Sequence, residues 1–163
     1  PDAMHASQLV YINEYFHNVL FPVLTPLAVD SSRPFPMLAN KTLNIAVRLK
    51  AKVKTEEDEN NFAVVQVPSI LPRFLELPSS DGKREYVMLE DIIIQNLHEL
   101  FELHDIKAVC PFRVTRNSDL EIDDEAEDFL GEVQKSIKKR KRGRPVRLEL
   151  VGGTDKPTKR FLF

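Results

Sequence analysis

The sequence predicts an α+β domain, a two-layer sandwich in which about three helices cover a mixed, mostly antiparallel sheet. Three observations lead there. Three stretches repeat apolar residues every three or four positions, the period of a helix with one buried face. Alternating apolar and polar stretches come in neighbouring pairs, the pattern of hairpins. Helical and extended stretches do not alternate one for one, so a parallel sheet with crossover helices is not expected. At 163 residues, 42% hydrophobic and 29% charged, the chain has the size and composition of one globular domain with its own core.

The first helix is expected over Ser7–Leu20, with Leu9, Ile12, Phe16 and Val19 on its buried face and Pro22 ending it. The next stretch holds Pro22, Pro26, Pro34 and Pro36, and proline supplies no amide hydrogen, so neither a helix nor a central strand is expected there. Its apolar residues Val23, Leu24, Leu27, Phe35 and Leu38 should pin it to the core. Residues 43–51 alternate as a half-buried strand, with Leu43, Ile45, Val47 and Leu49 inward and Asn44, Arg48 and Lys50 outward. A polar loop leads to a second strand, "FAVVQVP", and "RFLELP" and "REYVML" make another hairpin around Asp81-Gly82. A helix over 89–103 carries Leu89, Ile92, Ile93, Leu97, Leu100 and Phe101 on one stripe. A strand follows over 107–117 with Pro111 inside it. A third helix over 123–142 gathers acids in its first turns and has Phe129, Val133 and Ile137 four apart. Gly143 and Pro145 stop it, and "VRLELV" is a last strand.

The chemistry is sparse. The single cysteine, Cys110, excludes an intrachain disulfide, fits a reducing compartment, and reads as a small buried hydrophobe. The histidines His5, His17, His98 and His104 have no metal-ligand spacing. No phosphate-cradling or nucleophile-elbow motif occurs, and the chain has only five glycines. The acids at 121–128 suit a helix start, so no catalytic residue and no metal site is assigned. No apolar run reaches the ~18 residues of a membrane span, and no leader is expected from the opening residues. The charge signal is basic and local: Lys135, Lys138, Lys139, Arg140, Lys141, Arg142, Arg144 and Arg147 place eight of 23 cations within thirteen residues. That exceeds what helix capping needs and fits a surface that holds a polyanion. "RGRP" at 142–145 has the look of a minor-groove DNA motif, but it sits between a helix pattern and a strand pattern, and nucleic acid is not the expected partner.

Five separated stretches, "FPVLTPLAVD" (21–30), "PFPML" (34–38), "VPSILPRFLEL" (67–77), "PFRVTRNSDLEIDDEAEDFL" (111–130) and "KRGRPVRLEL" (141–150), resemble in order and spacing the middle, or head, domain of the bacterial polyphosphate kinases. The resemblance implies a linking helix over 1–20 whose first few residues read as foreign, the head domain over 21–151, and the start of a connection to catalytic domains over 152–163. Both ends then read as internal to a longer protein. It implies reversible transfer of the ATP terminal phosphate to polyphosphate through a phosphohistidine. ATP and Mg²⁺ would bind outside this chain, and the chain alone would be inactive. It also implies a homodimer, a cytoplasmic location with peripheral membrane association left open, and a polyphosphate tunnel bordered by the head domain. Candidates for that path are Arg113, Arg116, Lys138, Lys139, Arg140, Arg142, Arg144 and Arg147, since the guanidinium fork suits phosphate. The competing role for Arg116 is structural, pairing with Asp119 or Glu121 at the strand-to-helix corner. A nucleic-acid module using 138–147 and a ligand-free dimerisation module are the alternatives.

Overall fold

The computed structural model describes residues 4–30, 33–52, 61–79, 82–117 and 143–163. The expected polar loop after the first strand, Asp81 of the hairpin turn, the helix over 123–142 and the candidates Lys138, Lys139, Arg140 and Arg142 lie outside them.

The chain opens with α1 (Ala6–Tyr15), which runs into a π turn (Phe16–Leu20) and a 3-10 turn (Phe21–Val23). Strands β1 (Pro26–Val29), β2 (Leu43–Ala51) and β3 (Asn61–Gln66) follow, then the hairpin β4 (Phe74–Leu77) and β5 (Glu85–Met88). Helices α2 (Leu89–Gln95) and α3 (Leu97–Leu100) precede β6 (His104–Arg116), β7 (Pro145–Leu150) and α4 (Lys156–Leu162). The main sheet has the order β1-β3-β2-β6-β7, and β4-β5 forms a separate ribbon. This is the expected α+β arrangement, and among the described residues every strand pairing is antiparallel.

One face of the sheet packs against the helices. Ile45, Val47, Ala63 and Val65 meet Ile12, Phe16, Leu20, Leu89, Ile92, Ile93 and Leu97, all buried. Burying such side chains stabilises by roughly 1.5–3 kcal/mol each. The α1 stripe differs from the expected one. Gln8, Ile12, Phe16 and Leu20 are buried at steps of four, whereas Leu9 is 48% exposed. The π turn explains part of this. Its wider loop, closed by Phe21 N–H on the Phe16 carbonyl, brings Leu20 rather than Val19 inward. Gln8 enters because the fold satisfies its amide, which donates to the Pro78 carbonyl at 3.1 Å and to Glu85. The predicted 89–103 helix breaks at Asn96, whose side-chain amide donates to the Ile92 carbonyl at 2.9 Å.

The expectation that β2 is half-buried is overturned. Ile45, Ala46 and Val47 are buried in succession and Asn44 is fully buried. The opposite face carries a second core of Leu38, Ala46, Val64, Cys110, Phe112 and Val114, covered in part by α4 through Phe161 and Leu162. Helix α4 was not anticipated within the 152–163 connection. Asp155 caps it by accepting from the Thr158 amide at 3.3 Å, with proline in its first turn. Phe161 stacks on Phe62 at 4.0 Å between ring centroids and 4° between planes. Arg48, expected outward, is tied to Asp155 at 2.9 Å under this helix. Pro111 is tolerated inside β6 because β7 pairs with β6 only from Phe112 onward, so no ladder bond is lost on that side.

Candidate functional site

The described candidate cations, Arg113, Arg116, Arg144 and Arg147, lie at the end of the sheet where β6 and β7 pair beside the turn at 39–42. Alternation along β6 sets their directions. Phe112 and Val114 point into the second core, so Arg113 points to the other face, opposite Leu43 on β2 and Glu149 on β7. The pairing shifts between Thr115 and Arg116, leaving Val146 as an extra residue on β7.

Arg113 and Arg116 are therefore not brought together; they serve opposite faces of the sheet. The Arg116 side chain donates from Nε to the Leu38 carbonyl and from Nη1 to the Gly143 carbonyl, each at 3.1 Å. Its backbone N–H donates to Asn40 Oδ1 at 2.8 Å. Lys41 N–H to Val114 O at 2.9 Å and Asn117 N–H to Arg144 O at 2.8 Å complete the corner. Arg116 thus staples three chain segments by backbone carbonyls. Its proposed partners Asp119 and Glu121 lie outside the described residues.

Arg113 is held differently. Its Nη1 lies 4.0 Å from Glu149 Oε2, and its Nε is buried without a hydrogen-bond partner among the described residues. Glu149 also faces Arg147, whose Nε is 3.1 Å from Oε1 and whose side chain is 70% exposed. One carboxylate therefore sits between two guanidinium groups, with Arg144 exposed at the same end. Such a surface holds an anion by charge, not by shape. Glu149 was missed by sequence reasoning, since its role follows from cross-strand register, which alternation alone does not specify.

Among the described residues no three His, Cys, Asp or Glu side chains cluster as a metal site. Cys110 is buried, its Sγ 3.2 Å from Thr154 Oγ1. A cleft of about 250 Å³ between the 39–42 turn and the 67–73 loop is lined by Asn40, Lys41, Ser69 and Arg73 among others, but Arg73 is committed to the buried Glu90. The 142–145 motif is not free chain at its described end: the Gly143 and Arg144 carbonyls are bonded to β6 and its continuation, and Pro145 opens β7.

Residues 7–163 match the family described as "Polyphosphate kinase middle domain". The chain belongs to this family. It is 46% identical over 157 residues to the polyphosphate kinase of Halalkalibacterium halodurans, covering 96% of this chain and 22% of that protein. It is 48% identical over 146 residues to that of Bacillus cereus, covering 88% of this chain and 21% of the relative. Among solved structures it resembles polyphosphate kinase from Porphyromonas gingivalis, with a TM-score of 0.74 at 27% identity, over 98% of this chain and 22% of that one. The polyphosphate kinase middle domain thus spans about a fifth of the length of these relatives. Its sheet end, with Arg113, Glu149 and Arg147 on one face and the Arg116 staple on the other, lies within the matched residues.

Proposed function

We propose that this domain works within a polyphosphate kinase that reversibly transfers the ATP terminal phosphate to inorganic polyphosphate through a phosphohistidine. The family match over residues 7–163 carries this reading. The phosphohistidine, ATP and Mg²⁺ belong to other parts of the enzyme, and no step is assigned to the histidines of this chain. The domain supports a homodimer and borders the polyphosphate path in a cytoplasmic enzyme. Among the described residues no helix is long and apolar enough to cross a membrane.

Within that reading, Arg113, Arg144 and Arg147 contact polyphosphate, together with Lys138, Lys139, Arg140 and Arg142 from the adjoining stretch. Arg116 belongs to the same group as the residue that holds the corner. Half-buried Arg113 and exposed Arg147 share one carboxylate, and each guanidinium has more donors than that contact uses, which leaves some for a polymer that must slide. The test is charge reversal of Arg113 and Arg144 in the enzyme that carries this domain. The KM for polyphosphate should rise at least ~5-fold and its salt dependence should flatten, with the turnover number for short acceptors little changed. Unchanged product length and affinity, with only a loss of stability, would sink the path assignment.

A further inference from the structure

We propose that the free edge of β7 pairs with β7 of a second copy of this chain, antiparallel, about a two-fold axis through Leu148. This rests on the dimeric reading above and adds the surface and the register to it.

The two edges of the main sheet are built differently. The β1 edge is four residues long, begins with Pro26, and ends beside the ion pair of Arg33 with Asp30, at 2.6 Å. A short strand with a proline is how a sheet blunts an edge. At the other end, β7 runs six residues, and among the described residues nothing pairs with it beyond β6. After Pro145 every residue of β7 keeps its backbone donor, and Val146 beside this edge is 63% exposed.

The β7 sequence is complementary to itself. One face carries Arg147 and Glu149; the other carries Leu148 and Leu150, which join the second core. In antiparallel pairing centred on Leu148, Arg147 meets Glu149 of the second copy and Glu149 meets its Arg147. Leu148 meets its own counterpart, and Leu150 lies beside Val146 at the bulge. A slip of one residue sets Leu148 against Arg147 or Glu149. A slip of two sets Arg147 against Arg147 or Glu149 against Glu149. Only the centred register matches charge with opposite charge and apolar with apolar. It is an isologous contact, closed by its own symmetry, and joins two five-stranded sheets into one continuous sheet.

Sedimentation equilibrium of the chain over a concentration series tests this. Arg147→Glu and Glu149→Arg, each alone, place like charges opposite each other on both sides of the axis. Each should weaken self-association at least ~10-fold. Mixed in equal amounts, the two variants should associate as the parent does, since every charged pair across the axis is then opposite in sign. Val146→Lys, at an exposed position, should also weaken association and guards against a folding defect in the other two; urea midpoints read folding directly. The proposal is overturned if both reversals associate like the parent, if their mixture is no tighter than either alone, or if the parent is a monomer throughout. None of these results alters the polyphosphate affinity measured with the Arg113 and Arg144 variants, so the two readings fail separately.

Discussion

Arg116 Nη1 donates to the carbonyl of Gly143 at 3.1 Å, across 27 residues of chain, while its Nε holds Leu38. One side chain thereby joins the end of β6 to the residue two before Pro145, where β7 begins, and to the proline-rich segment before β2.

Removing that guanidinium leaves two carbonyls without their donor. Arg116→Ala should cost about 1.5–3 kcal/mol in urea denaturation, the usual scale for a charged hydrogen bond. Arg116→Lys should recover only part of it, because one ammonium cannot replace a planar fork reaching two carbonyls. Full recovery by lysine would mean that only charge matters here.

The Phe62–Phe161 stack helps fasten α4 to the sheet, beside Leu162 and the Arg48–Asp155 pair. Phe161→Ala should destabilise by about 2 kcal/mol, less than the ~3–5 of a fully buried phenylalanine, because Phe161 is only half-buried. A double-mutant cycle with Phe62→Leu should show ~0.5–1.5 kcal/mol of coupling between the rings. Additive losses would assign the contact to area alone.

Glu90 is buried, and Arg73 reaches it with Nε at 2.9 Å and with Nη2. Arg73→Ala strands a carboxylate in the interior and should cost about 1–3 kcal/mol, discounted because the arginine itself is half exposed. Glu90→Gln should cost less, since the amide oxygen still accepts from Arg73. Equal losses in thermal unfolding would rule out a buried charge as the cause.

His17 Nδ1 lies 2.8 Å from the Asn13 carbonyl and Nε2 lies 2.9 Å from Glu99 Oε2. Both partners only accept, so bonding to both at once needs the imidazolium, which donates from both nitrogens. The Asn13 carbonyl, and after it Glu99, raise the His17 pKa above its ordinary 6.5. A raised folded-state pKa gives a contribution that is full below the unfolded value and disappears as pH rises through the folded one. Proton NMR titration should place His17 above 6.5 in the parent and lower in Glu99→Gln. No change between the two would remove Glu99 from the account.

Much of this domain is legible locally. The strands over 43–51 and 62–66, the hairpin of β4 and β5, and the apolar stripe of α2 all follow from period and turn chemistry. Helix α4 was legible too, in Asp155 followed by Pro157 two residues on, but so short a stretch has no apolar period to notice. The depth of β2 was not legible: Asn44 and Arg48 look like an outward face until another element covers them.

The sequence by itself determined the fold class and the family, because these rest on residue order, spacing and composition. Only the tertiary structure decided what the arginines touch. Arg113 and Arg116 are three residues apart on a strand, and the two-residue period sends them to opposite faces. Which carbonyl or carboxylate waits there depends on strand register and on segments distant in the chain, and no local pattern encodes either.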